Sequence, residues 1–267
     1  MKKQKTAEPD TGIVQDPAHV ARFGRLCEAA ARERHTVGEA GIGTLQEKRM
    51  HALIKRYLCE DTAAHEVQLG ESRYVSDVRI GNEAYEVQTG SFYPMRRKID
   101  YYLEHTDCLV TVVHPIPRIK WSCRIDAQTL DVSPRRKVAG GRAQDILPEL
   151  YHLLPHLGNP RLRIRLLLLE VQDFRLTDPT QKGRRGVSHR YERVPLSLLG
   201  EMELVSPSDY RVFLPADLPS PFTVKQFSAA TKLRGRDAYS AVRVLAALGL
   251  LAPAPPVGRA MAFRVVK

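Results

Sequence analysis

The spacing of apolar residues changes along this chain, and each change predicts a different element. Val20, Phe23, Leu26 and Cys27 recur at helical spacing behind an Asp16-Pro17 pair suited to an N-cap and first helical position. This predicts an amphipathic leader helix to about Arg34. Gly38, Gly41 and Gly43 interrupt it, and Thr44 to Glu47 opens a second helix with Leu45, Met50, Leu53, Ile54, Tyr57 and Leu58 on the buried side. Beyond Asp61 the period falls to two. Residues 65–69, 74–80 and 84–88 read as short strands, the last two joined by a tight turn at Gly81-Asn82.

Residues 91–103 are helical by composition, with Pro94 tolerable in the first turn, and residues 108–113 form a continuous β-branched run ending at Pro115. Such a run suits a strand covered on both faces. Residues 121–125 and 129–132 predict a hairpin, 143–152 a helix, and 161–174 a long strand. In that strand Arg161, Arg163 and Arg165 alternate with Leu162, Ile164 and Leu166, which predicts one basic face. Residues 182–193 read as a loop rich in glycine and arginine. The composition shifts again near Pro207. Thr223 is placed to cap one helix, a second is expected over 237–248 with Gly249 ending it, and a proline-rich turn followed by residues 261–266 predicts a two-stranded wing. Helix, turn, helix and wing resembles a winged helix-turn-helix, whose second helix would enter the major groove. A small α+β dimerisation domain is the alternative. The expected organisation is therefore a disordered basic tail over 1–15, a main domain over 16–206, and this small unit over 207–267.

Charge narrows the choice of partners. Among 267 residues, 41 Lys and Arg against 30 Asp and Glu give a net charge of +11. A balance of this sign favours nucleic acid, because Lys and Arg that neutralise phosphates release condensed counterions. From Asp217 onward eight basic residues face two acidic ones, so +6 of the total falls in the last 51 residues. The four cysteines are scattered with no C-x-x-C pair, which argues against a zinc ribbon or a disulfide framework. His152 and His156 have zinc-helix spacing, but Pro155 lies between them and no third ligand is evident. No apolar run is long enough to span a bilayer and no secretory signal is recognisable, so the expectation is a cytoplasmic protein without a membrane partner.

The chemistry points to the hairpin. Asp77 stands amid apolar strand residues, and Glu86 and Gln88, two apart, share a face of the next strand. Two carboxylates on adjacent strands supply hard oxygen ligands of the kind Mg²⁺ takes, with water and a substrate phosphate completing its octahedron. A more ordinary reading pairs Asp77 with Arg73 or Arg79, and makes Glu47 part of a Thr44-x-x-Glu47 capping box. His65 and Glu66 lie on the neighbouring strand as supporting candidates.

Residues 44–116, with a helix bearing an acidic residue, a hairpin bearing Asp77 and then Glu86-x-Gln88 where the family has E-x-K, a helix and a further strand, resemble the PD-(D/E)xK nuclease superfamily. The resemblance implies a restriction-endonuclease-like α/β fold, with a mixed sheet flanked by helices, followed here by the winged-helix-like unit. It implies Asp77, Glu86 and Glu47 as ligands of Mg²⁺ or Mn²⁺. Gln88 occupies the position of the family's lysine; being neutral it cannot offset transition-state charge, and Lys98 on the following helix is the candidate replacement. Arg96 and Arg97, the basic segment Lys182, Arg184, Arg185 and Arg190, and Arg234, Arg236 and Arg243 near the C terminus would meet the nucleic-acid backbone. The function so implied is a Mg²⁺-dependent endonuclease acting on DNA. The alternative is a non-catalytic DNA-binding protein, a regulator or a repair or replication partner, that keeps the fold with an altered metal site. The leader helix offers an apolar face on which a homodimer could form.

Overall fold

In the computed structural model, which describes residues 12–33, 46–178 and 187–266, the two N-terminal apolar stripes are helices α1 (Pro17–Glu33) and α2 (Gln46–Leu58). The Asp16 carboxylate accepts the Ala18 amide at 2.8 Å and caps α1. Of the expected tail, residues 1–11 lie outside the described residues, while Val14 exchanges two backbone hydrogen bonds with Glu201 at 2.8 and 2.9 Å.

The chain then builds a mixed sheet from β1 (His65–Gln68), β2 (Val75–Ile80), β3 (Glu83–Val87), β4 (Leu109–Asp126), β5 (Arg136–Val138), β6 (Leu162–Asp178) and β7 (Val187–Leu204). The order is β1-β2-β3-β4-β6-β7, with β5 paired to the outer part of β4. The β3–β4 and β4–β6 pairs are parallel and the others antiparallel. Helices cover both faces. Phe23, Met50, Ile54 and Tyr57 from α1 and α2 pack on Val78, Tyr85, Val87, Val113 and Leu167. On the other face, helix α3 (Arg96–His105) and the one-turn α4 (Leu147–Leu150) cover Ala84, Val110, Val112 and Ile164.

The C-terminal residues form α5 (Val224–Thr231), α6 (Arg236–Ala247) and a three-stranded antiparallel sheet of β8 (Phe222–Thr223), β9 (Leu251–Val257) and β10 (Ala260–Val265), with β10 central. Thr223 caps α5 in a box completed by Gln226. This unit shares its core with the main sheet: Phe227, Val242 and Leu245 belong to the same buried cluster as Leu147 and Leu150. The Arg142 and Gln144 side chains also donate to the Thr231 carbonyl, at 2.6 and 3.3 Å.

Several expected elements take a different form. The strand expected to stop at Pro115 continues to Asp126. The reason is that β3 ends opposite Val113. The Val113 and Pro117 carbonyls both point to that side, accepting Gln88 N at 2.9 Å and Gly141 N at 2.7 Å. Pro115 and Pro117, in phase with Val113, therefore aim their missing N–H at an edge where no ladder partner stands. Residues 121–125 are the outer part of β4, and Val132 touches Ile125 only through an isolated bridge. The helix expected over 143–152 is two 3-10 segments around α4. Residues 187–193 are strand, not loop, and the prolines of 253–256 sit within β9, an edge strand bonded only to β10. Two arginines of the expected basic face are engaged internally: Arg161 donates to the Leu103 and Thr106 carbonyls at the end of α3, and Arg165 Nε to Glu203 at 2.7 Å.

Candidate functional site

The hairpin places the carboxylates. Gly81, at φ +59°, makes the turn that only a residue without Cβ adopts freely, and sets Val78 opposite Tyr85. Continuing that register brings Asp77 across from Glu86. Here the strands part, and the Asp77 carboxylate takes the Val87 amide at 2.8 Å in place of a ladder carbonyl. The same oxygen, Oδ2, meets His51 Nε2 of α2 at 3.0 Å, while Oδ1 accepts no hydrogen bond among the described residues. Burial would raise the Asp77 carboxyl, but the hydrogen bond and charge of His51, the charge of Lys98 and the Val87 amide together hold it below the usual carboxylate range.

Glu86 is only 4% exposed. Lys98 Nζ bonds its Oε2 and the Tyr102 hydroxyl donates to its Oε1. Lys98 and Tyr102 lie one turn apart on α3, so one helix face delivers both. Burial pushes the Glu86 carboxyl up to about 7; Lys98 pulls down against this and Asp77 adds to the rise. Tyr102 is raised as well, first by burial and then by the Glu86 charge.

Beside these groups opens a cleft of about 430 Å³, lined by His51, Val87, Gln88, Thr89, Gly90, Ser91 and Pro94. Gln88 sits on its wall, but its side-chain Nε2 donates to the Ser91 carbonyl, and its backbone carbonyl meets His114 Nδ1 at 2.6 Å. Burial, ahead of that bond, holds the His114 imidazole below its usual value.

The structure thus brings together Asp77, Glu86 and Lys98, with Gln88 close by on the cleft wall. Neither ordinary partner expected for Asp77 is used: Arg79 donates to the Gly81 carbonyl and Arg73 lies over the Tyr74 ring. Glu47 belongs to α2 four residues before His51, but its side chain, with Thr44 and the proposed capping box, lies outside the described residues. Lys182, Arg184 and Arg185 lie outside them too. Arg96, Arg97, Arg190, Arg234, Arg236 and Arg243 are exposed. His65 is turned away, its ring on the Cys59 carbonyl at 2.8 Å. Glu66 is nearer: it takes Lys55 Nζ at 2.8 Å, and the Lys55 bond and charge hold its carboxyl low, with the Asp77 charge opposing. The partner that sequence reasoning missed is His51. Its signal was its place on α2 beside the Met50–Leu53–Ile54 stripe, one turn after Glu47.

This chain belongs to the family described as a domain of unknown function, DUF8091, whose match spans residues 48–205. That span runs from α2 to the end of β7 and contains every group of the site just described. No curated protein matches the chain, and no solved structure does.

Proposed function

We propose that this protein is a metal-dependent nuclease of the PD-(D/E)xK type, with a restriction-endonuclease-like core, hydrolysing phosphodiester bonds in DNA. The observation that carries the reading is the meeting of Asp77, Glu86 and Lys98 at the parted end of one hairpin, beside an open cleft. The order α2, β2–β3, α3, β4 is the order that the superfamily pattern requires.

The donors fit a hard divalent cation. Among the described residues no group of three or more His, Cys, Asp and Glu side chains could hold a metal ion, so the reading rests on the two carboxylates Asp77 and Glu86, of which Asp77 Oδ1 accepts no hydrogen bond from those residues. Mg²⁺ or Mn²⁺ is commonly held this way, by one or two carboxylates with water and substrate phosphate supplying the rest. The ion would polarise the phosphoryl oxygen and lower the pKa of an attacking water. The chain's own groups do the remainder. Lys98 places a fixed positive charge next to Glu86, which Gln88 does not provide. His51 and the Val87 amide fix the rotamer of Asp77. Arg96 and Arg97, exposed at the start of α3, are placed for the phosphates flanking the cleft.

In this reading α5, α6 and the β9–β10 pair act as a winged helix that positions the substrate. Arg236, Tyr239 and Arg243 form one exposed stripe along α6, with Arg234 just before it. The test is cleavage of plasmid and single-stranded DNA with Mg²⁺ or Mn²⁺. Wild type should cut, and Asp77→Ala and Glu86→Ala should not. If wild type cuts no better than these variants with either metal, the enzymatic reading is lost.

A second reading, a DNA-binding protein without catalysis, is favoured by one observation: both Glu86 oxygens and the Gln88 amide are already engaged by protein groups. Calorimetry separates the two. Duplex binding that weakens with salt, without binding of Mg²⁺ or Mn²⁺, selects the second. Charge reversal at Arg234, Arg236 and Arg243 that leaves DNA affinity unchanged would exclude the role given to α6 in both.

A further inference from the structure

Next to the cleft lies a surface of which the nuclease reading uses only Arg96. Between Ser91 and Pro94, both on the cleft wall, Tyr93 stands 56% exposed, while its neighbour Phe92 is fully buried. The Arg96 guanidinium lies 3.9 Å from the centre of the Tyr93 ring, and its Nε donates to the Tyr93 carbonyl at 3.2 Å. The ring of His152, from the segment after α4, meets Tyr93 edge-on at 5.5 Å between centroids. Tyr151, 40% exposed, adjoins His152 at 6.4 Å. Four π-faced groups from two distant parts of the chain thus form one run, in which Tyr93, Arg96 and Tyr151 are exposed and His152 is half-buried.

The run is held in place from below. Phe92 N donates to Glu149 of α4 at 2.9 Å, and the Phe92 ring packs against His114 at 5.3 Å. Tyr93 keeps more than half of its surface in water on a firmly anchored turn, with Arg96 over the ring, and so offers flat surface for a further stacked group; the adjacent Arg96 and Arg97 favour an anionic partner. Unpaired nucleotides combine both properties. Bases stack on aromatic rings and guanidinium planes while their phosphates meet the basic groups. In an intact duplex the base faces are covered by their neighbours and are not available to the platform.

We propose that the Tyr93–Arg96–His152–Tyr151 surface is a base-stacking platform, and that the cleft acts where at least one nucleotide is unpaired, on single-stranded or locally opened nucleic acid. The proposal rests on the reading that the cleft receives nucleic acid. It narrows the substrate from DNA in general to an unpaired segment beside the scissile bond.

The experiment measures fluorescence anisotropy of labelled oligothymidylate, oligouridylate and a duplex of equal length, with a chelator present so that no cleavage intervenes. Truncation in a Tyr93→Ala/Tyr151→Ala double variant should weaken single-strand binding about tenfold or more, the size expected for loss of base stacking. Duplex binding should change little. Tyr93→Phe, which keeps the ring face, should retain single-strand affinity and controls for folding. Selective loss in either single-strand arm supports the platform. No loss in both arms, or an equal loss for duplex, overturns it. Because binding is read without metal, wild type that binds single strands through Tyr93 but never cuts would refute the nuclease reading and leave the platform standing.

Discussion

Glu86 gives the sharpest physical test of the site, because it is a carboxylate that opposes folding at neutral pH. Its folded value is about 7 against 4.5 for the unperturbed group, so the native state holds this proton more tightly than the unfolded chain does. The sign follows: the group's contribution is fully favourable below about 4.5 and is lost as pH rises through about 7. At about 1.4 kcal/mol per unit, the separation corresponds to about 3 kcal/mol in total, of which about 2 to 3 kcal/mol is lost between pH 5 and 8. Glu86→Gln keeps the shape and the Tyr102 contact and removes the titration. Urea unfolding of wild type and variant in chelator, at pH 5 and at pH 8, should show the variant gaining on wild type by about 2 to 3 kcal/mol across that interval. The comparison is between pH values within each protein, so a pH-independent difference in packing cancels, and the attraction of Lys98 for the ionised carboxylate is already contained in the folded value of about 7. Parallel stability curves for the two proteins would refute the argument, since they would mean that the Glu86 carboxyl is not held in the buried environment described.

Asp77 carries the opposite sign. Its folded value lies below the ordinary 3.8, so its stabilisation is present above that pH and lost as pH falls through the lower folded value; Asp77→Asn should be less stable at pH 6, by about 1 to 3 kcal/mol for charge-assisted hydrogen bonds, and should converge with wild type toward pH 2 on denaturant titration. Arg193→Ala should cost about 3 to 5 kcal/mol in the same assay, because Arg193 holds the 5% exposed Asp173 through two bonds of 2.6 and 2.9 Å; Arg193→Lys, unable to form the fork, should recover only part. Gly140→Ala should lower the thermal midpoint, because its Cβ would stand 2.1 Å from the Arg118 carbonyl oxygen, and the backbone must move at a cost of about 1 to 3 kcal/mol. A midpoint equal to wild type would show that the chain does not pass so close to β4.

What the sequence made legible was local or periodic. The α1 and α2 stripes, the Gly81-Asn82 turn and the Thr223 cap are each set by a few adjacent side chains, and each forms close to where its spacing predicts. What it concealed depended on neighbours distant in the chain. Pro115 reads as a strand end until the end of β3 is known to leave that edge of β4 without a partner. Residues 187–193 read as a charged loop because nothing local shows that Arg193 is pinned by Asp173, twenty residues earlier. In the site, Asp77, Glu86 and Lys98 were visible as types at a spacing. His51 was not, because a histidine on the flank of an amphipathic helix carries no period of its own, and only the parting of β2 from β3 gives it a carboxylate to meet.

The net charge of +11 takes on a narrower meaning once the arginines are placed. Arg161 closes the end of α3, Arg165 is bonded to Glu203 and Arg193 to Asp173, so these contribute to the fold and have little left for a polyanion. Among the arginines that remain exposed, Arg96 and Arg97 follow Pro94 of the cleft wall at the start of α3, and Arg234, Arg236 and Arg243 lie on and before α6, while others, such as Arg25, Arg73, Arg135 and Arg259, stand elsewhere on the surface. The acidic groups divide in the same way. Most exposed carboxylates in a basic protein offset surface charge, whereas Glu86 is buried where an apolar residue would fill the position without the proton-linked cost set out above. Lys98 and Tyr102 are committed to keeping that one carboxylate ionisable. Under the nuclease function proposed above, an arrangement that lowers stability, occupies two further side chains and opens beside a cleft has a use: Glu86 and Asp77 would receive a cation together, and Arg96 and Arg97 would meet the phosphate it accompanies.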